Sequence, residues 1–324
     1  MFTKKRVKIF GRDAIAVEGL SDYSLEDTLE CGQCFRHFKI DRPGEGSESY
    51  PEGYTEYMTV AYGKLINVGQ RNRCELIFFG MDDETFESVA VSYFALDTDY
   101  GAIREDIVKR SDSEFLKQAS EAASGIRILR QEPWEAVFSF IVSQNNNIPR
   151  IRKIIRTLSL EYGENLAEKN GLKKCPLKDK SHTPCHENCK NCGICYSFPR
   201  AVDVAKRPEG MESARVGFRY KYLLDAAERV SSGETDLDAI KAQRSYSHTV
   251  EELKKIKGVG DKVASCVALF GMGNLEAFPI DVWMKRAIDT YFDGKLDPTT
   301  LGPYAGVAQQ YIFHYIRNLE VKEG

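Results

Sequence analysis

KIKGVGDKVASCVALF, residues 255–270, decides how the rest of the 324-residue chain is read. It is the end of one helix, a tight glycine turn, and the start of a second helix that opens on a lysine. Just upstream, in SHTVEELKKI, Thr249 and Glu252 fit a capping box that starts a short helix ending near Ile256. Gly258-Val259-Gly260 makes the turn, and Asp261 stands where it can cap the next helix. A helix-hairpin-helix of this kind suits the DNA backbone. N–H groups at the second helix's N-terminus point at a phosphate, and the glycines let the two backbones meet closely. Gly258 and Gly260 are therefore candidate DNA contacts, although a glycine turn between helices is, taken alone, as often only a turn.

Lys262 stands in the first turn of the second helix, where the positive end of the helix dipole disfavours an ammonium. The dipole favours the neutral amine, a nucleophile that can attack a sugar C1′ and form a Schiff base. Further on comes Pro279-Ile280-Asp281-Val282-Trp283, in which Asp281 is placed to cap the following helix. A carboxylate there also stabilises the oxocarbenium-like charge that develops as a glycosidic bond breaks. Each residue alone reads more simply as an exposed helix start and a plain N-cap. Beside the hairpin, the pair points to catalysis on DNA.

Hydrophobic residues make up 42% of the chain and charged residues 29%, an ordinary globular composition with room for two cores. The N-terminus, MFTKKRVKIFGRD, lacks an apolar signal segment, and no stretch approaches the roughly 18 apolar residues that span a bilayer. A soluble, cytoplasmic chain with no membrane partner, acting as a monomer, is expected. The net charge of −3 argues weakly against a polyanionic partner, but it is unevenly spread. Residues 141–230 hold 17 Lys or Arg against 10 Asp or Glu, a local excess of +7 on an acidic body. That suits a polyanion gripped on one face.

Short apolar runs separated by turn residues fill the first hundred residues: VKIF at 7–10, AIAV at 14–17, CFRHFKI at 34–40, then EYMTVAYG and GKLINVG. This is strand periodicity, and the loop DRPGEGSESYPEG at 41–53 joins two of the strands. From Ser111 the spacing becomes helical. Ser113 to Leu116 open one helix, and Pro133 and Pro149 fit the first turns of two more, with polar SQNNN at 143–147 between them. The expected fold is α+β. A twisted antiparallel sheet domain over 1–112 precedes a helical domain over 113–324, which carries a Cys-rich insert at about 173–199.

With these stretches in view, the chain resembles the helix-hairpin-helix DNA glycosylases with a glycine/proline-rich loop and an aspartate. Within them it resembles the 8-oxoguanine DNA glycosylase family. The likeness runs through GQCFR at 32–36, YFALDTDY at 93–100, SFIVSQNNNIPRI at 139–151, GVGDKVASC at 258–266, PIDVW at 279–283 and GPYAGVAQQYIF at 302–313, in the family's order. The resemblance implies a bifunctional glycosylase and lyase that removes 8-oxoguanine opposite cytosine from duplex DNA, with no cofactor in catalysis. It makes Lys262 the Schiff-base nucleophile and Asp281 the catalytic aspartate. Gly32 offers its carbonyl to the lesion's N7–H, Gln309 reads the Watson–Crick edge, and Cys266 and Phe313 sandwich the flipped base. Asn145, Arg150 and Arg219 hold the opposite cytosine, and Phe218 fills the stack. The carbonyls of Lys254, Ile256 and Val259 are implied to cradle a monovalent cation. Trp283 stands where some members have a histidine near a phosphate, and Phe218 where they have a tyrosine, so the backbone grip is expected to differ while the chemistry stands.

One segment departs from the family. Cys185, Cys189, Cys192 and Cys195 are spaced closely enough for four thiolates to close on one metal, structural zinc ahead of an iron–sulfur cluster, with free thiols as the remaining reading. Cys175, His182 and His186 are spare ligands. These cysteines favour a rival, an endonuclease III-like glycosylase for oxidised pyrimidines, which GQCFR and GPYAG disfavour. A catalytically silent, metal-stabilised DNA-binding module is the rival from another class, and the presence of both Lys262 and Asp281 argues against it.

Overall fold

The computed structural model describes residues 2–40, 51–169 and 193–323. Six strands form one antiparallel sheet: β1 (Thr3–Ile9), β2 (Arg12–Glu18), β3 (His37–Lys39), β4 (Thr55–Ala61), β5 (Lys64–Gln70) and β6 (Glu75–Phe79), in the order β1-β2-β6-β5-β4-β3. Two hairpins set the register. Phe10-Gly11 and Tyr62-Gly63 are two-residue turns with positive φ at both positions, the turn whose twist matches that of paired strands. Alternate residues Ile15 and Val17, Ile66 and Val68, and Leu76 and Phe78 are fully buried. They form one core with Leu25 and Leu29 of the helix Leu25–Glu30 and with Phe86, Ala90 and Phe94.

The helical body packs around Pro133–Ser143, whose residues 135–142 are all buried. Against this helix lie Ile148–Tyr162, Tyr220–Ser232 and Asp261–Val267. The last runs on into a π turn, Ala268–Met272. Helices Val282–Tyr291 and Ala305–Glu323 complete the body. Among the described residues no helix is long and apolar enough to cross a membrane.

Three local expectations are corrected. Helical structure is not confined to residues after Ser111: besides Leu25–Glu30 it forms in the run at 83–93, where Phe86, Val89, Ala90 and Tyr93 share a helical face that covers the sheet, and in Tyr100–Lys109. The predicted strand 34–40 shortens to His37–Lys39, since Cys34 and Phe35 turn inward to two different cores. The helix before the hairpin is Tyr246–Leu253, and its cap is Ser245, whose hydroxyl accepts from His248 N–H; Thr249 is buried in its middle.

His37–Lys39 pair with Tyr57–Thr59, so the expected loop does stand between two paired strands, β3 and β4, although residues 41–50 lie outside the described residues. So do Cys185, Cys189 and Cys192, with Cys175, His182 and His186. Cys195 is described. It is fully buried beside Ile40, Met58, Ala167 and Ile194, and the excursion that holds the insert is closed at its base by the Asn165–Tyr196 bridge.

Candidate active site

The hairpin turn owes its shape to Gly258. Its φ of +82° is one that side chains resist, and a Cβ there would lie 2.4 Å from Tyr222 Cγ. Val259 N–H donates to the Ile256 carbonyl and closes the turn. The residue at the cap of the second helix is Gly260, not Asp261. Asp261 is the first helical residue, and its Oδ1 accepts from Lys254 Nζ at 2.6 Å, across the hairpin. A Cβ on Gly260 would meet nothing within 4 Å, so this edge of the turn is open.

Lys262 is half-buried, with Nζ 5.6 Å from the centroid of the Phe140 ring. One turn on, the Cys266 thiol is pushed up by burial and by nearby Asp281, with Lys262 opposing them. The shift favours the neutral thiol over the thiolate. Asp281 caps Val282–Tyr291, its Oδ1 accepting from Met284 N–H at 2.8 Å.

These groups share a cavity of about 60 Å³, lined by Gly32, Lys262, Cys266, Asp281, Gln309 and Phe313, with Cys31, Phe140, Phe270, Pro279 and Gln310. Five separated stretches of sequence meet there. Gln309 is almost fully buried, and its Oε1 accepts from Gln310 Nε2 at 2.7 Å, which fixes the amide in the wall. Gly32 has φ +88°, and a Cβ there would meet Ile148, Arg317 and Phe313 at 3.5–3.8 Å. Glycine is thus required by the backbone conformation more than by space. Ligand pockets run to roughly 300 Å³ or more, so a nucleobase enters only as the walls, Phe313 among them, give way.

The cavity opens into a groove of about 1270 Å³. Lys262, Asp281, Gly32 and Phe313 face both spaces, and Asn145, Phe218, Gly260, Ile280, Val282 and Trp283 line the groove. Asn145 stands in the left-handed region at φ +48°. Phe218 is half exposed, edge-on to Tyr222 at 6.1 Å, so one tyrosine ring supports both the hairpin glycine and this exposed phenyl. Arg219 is placed differently. It is 4% exposed, and its guanidinium donates to the carbonyls of Gln144, Asn145 and Val216. Burial, and after it the nearby Arg150, lowers its pKa. Arg150 is exposed at the start of Ile148–Tyr162, its Nη2 3.4 Å from the Arg215 carbonyl. Among the described residues no group of three or more His, Cys, Asp or Glu is placed to hold a metal.

Residues 17–137 match the family described as 8-oxoguanine DNA glycosylase, N-terminal domain. The solved structure of MBOgg1 in complex with a low-affinity DNA ligand is 33% identical, with a TM-score of 0.78 and 99% of each chain covered. This chain belongs to the 8-oxoguanine DNA glycosylase family. The 8-oxoguanine glycosylase/lyase of Clostridium acetobutylicum, solved with double-stranded DNA containing cytosine opposite 8-oxoG, is 32% identical at a TM-score of 0.77, covering 99% of this chain and 98% of that one. An N-glycosylase/DNA lyase of Saccharomyces cerevisiae is 28% identical over 304 residues, covering 86% of this chain and 69% of that one.

In this family member several site residues carry no mark in the sequence. Phe140 and Phe270, stacked at 5.3 Å, are cavity walls that read as ordinary core. Arg317, over the Phe313 ring at 5.5 Å, reads as a solvated helix charge, and its one signal is the i+4 spacing from Phe313.

Proposed function

We propose that this chain, a DNA glycosylase with lyase activity, excises 8-oxoguanine opposite cytosine from duplex DNA, acting as a monomer in the cytoplasm with the chromosome. The observation that carries the reading is the single cavity shared by a lysine, a carboxylate, a glycine carbonyl, an amide, a thiol and a phenyl ring. The Lys262 amine attacks C1′ of the flipped nucleotide. The N-glycosidic bond breaks, and the base leaves with the electron pair and takes up a proton. Asp281 stabilises the cationic sugar. The C1′–O4′ bond then opens, O4′ taking up a proton that the amine gives up, and C1′ is left as an iminium on Lys262; loss of a C2′ proton expels the 3′ phosphate as the C3′–O bond breaks, and the strand is cut on the 3′ side.

Gly32 discriminates through N7. In guanine this atom is an acceptor and repels a carbonyl, while in 8-oxoguanine it carries a hydrogen and donates. Cys266 and Phe313 close on the two faces of the base, and Gln309 meets its edge. Asn145 and Arg150 reach the orphaned cytosine, Arg219 acts on that side through the Gln144–Asn145 backbone it holds, and Phe218 fills the stack. Gly258 and Gly260 bring the hairpin to a phosphate, with the Lys254, Ile256 and Val259 carbonyls as a cradle for a monovalent cation. Cys185, Cys189, Cys192 and Cys195 are proposed to hold one structural zinc. Their spacing, close enough for four thiolates to close on one ion, supports this, and elemental analysis of protein prepared without chelator tests it.

Borohydride trapping on a duplex carrying 8-oxoguanine opposite cytosine tests the function: a covalent adduct is expected. No adduct there, with an adduct on a duplex carrying an oxidised pyrimidine, would replace this reading with the endonuclease III-like one.

A further inference from the structure

Gly32 reads the base only if its carbonyl is held still, and the peptide that carries it continues into Gln33, whose side chain is completely buried. Gln33 Nε2 donates to the carbonyls of Thr28 at 2.8 Å and Arg127 at 2.7 Å, and its Oε1 accepts from Leu129 N–H at 2.8 Å. The backbone carbonyl of Gln33 is held separately. It accepts from Gln131 Nε2 at 2.7 Å. Gln131 uses its own backbone N–H on the opposite side, donating to the Phe270 carbonyl at 2.9 Å. Phe270 belongs to the π turn that continues the Lys262 helix, and it lines the same cavity as Gly32.

We infer that Gln131 is a positioning residue, a crosspiece that sets the spacing between the carbonyl that reads the base and the wall that carries the nucleophile. It touches neither DNA nor the reacting atoms. The inference rests on the reading of Gly32 given above. The two sides of the crosspiece are not equally dependent on it. The Lys262 helix is buried along Val263–Val267 and packs on Pro133–Ser143, so it keeps its place when Gln131 is altered. The Gly32–Gln33 peptide sits in a non-helical segment with positive φ at Gly32, and it relies on side-chain bonds. Loss of the Gln131 bond therefore moves the reader and leaves the nucleophile. A displacement of about 1 Å at a reacting geometry costs roughly 100-fold.

The test uses the whole chain and two duplexes, one carrying 8-oxoguanine and one a preformed abasic site, each opposite cytosine. Gln131→Met keeps the shape and removes the donor. The ratio of excision to abasic-site cleavage is expected to fall about tenfold or more, with abasic-site cleavage within about threefold of wild type. Gln131→Glu supplies the readout that a merely structural role would not move. When protonated, the introduced carboxyl donates to the Gln33 carbonyl again; when ionised, it repels it. Its ratio is expected to climb towards wild type as the pH is lowered from about 8 to about 5.5, while the wild-type ratio stays level over the same range. Parallel loss of both activities in Gln131→Met, an unchanged ratio, or a Gln131→Glu ratio that ignores pH each overturns the inference. A wild-type protein that does not excise 8-oxoguanine instead overturns the function it rests on.

Discussion

The two sides of the groove are built on opposite principles. On the side proposed to meet the base, Gln33, Cys266 and Gln309 are almost entirely shielded from water and Gly32 is half-buried, and the polar groups around them are spent on one another. On the side proposed to face the orphaned cytosine, the opened stack and the DNA backbone, Asn145, Arg150, Gly260 and Phe218 are exposed. Telling 8-oxoguanine from guanine depends on where one hydrogen sits, so its reader must be fixed before the base arrives. Gripping a backbone of repeating phosphates tolerates adjustment. Variants on the buried side should therefore separate excision from lyase activity, and variants on the exposed side should lower both together.

Lys262, the proposed nucleophile, lies where the two sides meet, and its loss is expected to have the largest effect. Lys262→Gln is expected to bind lesion DNA, form no borohydride-trapped adduct and lose excision and strand cleavage to background; a normal adduct yield moves the nucleophile elsewhere. Asp281→Asn comes next. Asparagine caps a helix as well as aspartate does, so the bond from Met284 N–H survives and melting is expected to shift little. Base removal should slow by roughly 10²–10³, the scale for losing one electrostatic stabiliser of a charged transition state. A rate loss matched by an equal loss of stability would reduce Asp281 to a cap.

Gly258→Ala strikes the exposed side through its support. A Cβ there overlaps the Tyr222 ring and adopts an unfavourable φ, at a cost of about 2–4 kcal/mol in stability. Affinity for lesion and undamaged duplex should weaken together, and a selective loss on lesion DNA would place the hairpin on the reading side.

The buried side has a counterpart in Glu135, paired with Arg36 of the GQCFR stretch at 3.1 Å. Burial outweighs that guanidinium and pushes the carboxyl up to about 7. Because the folded pKa exceeds the unfolded one, the protonated form favours folding. Stability contributed by Glu135 is full below about pH 4.5 and is lost as the pH rises to about 7. The slope is about 1.4 kcal/mol per pH unit at most. Glu135→Gln should flatten the melting temperature over that window, and an unaltered slope would mean that another group titrates.

How much of this was legible in the sequence follows the same division. The hairpin turn, the place of Lys262 in the first turn of its helix and the Asp281 cap are readable in the sequence because glycine turns and N-caps are local chemistry, decided within four residues. Thr249 misled because a Thr-x-x-Glu pattern also occurs inside helices, and Ser245 was the better cap. Arg219 was legible as a charge, but its inward turn onto the carbonyls of Gln144 and Asn145 depends on a loop some seventy residues away in the chain. Gln131 left no signal at all, since a buried amide that bridges two distant backbones looks in sequence like any polar residue before a helix.

Arg219 and Phe218 are chain neighbours on opposite sides of that division, which makes Phe218 the sharpest of the smaller tests. Its ring is 51% exposed and touches Tyr222 only edge-on, so Phe218→Ala should leave stability within about 0.5 kcal/mol. A wedge matters only where extruding a nucleotide leaves a gap in a stack. Excision of 8-oxoguanine from duplex DNA should therefore fall roughly tenfold, about 1.4 kcal/mol of transition-state stabilisation. Excision from a single strand carrying the same lesion has no stack to fill and should change little. The ratio of duplex to single-strand rates is the quantity to measure. If both rates fall by the same factor with melting unchanged, Phe218 contributes apolar contact to the strand and the wedge lies elsewhere on the rim, where exposed Val282 and Ile280 face it across the groove.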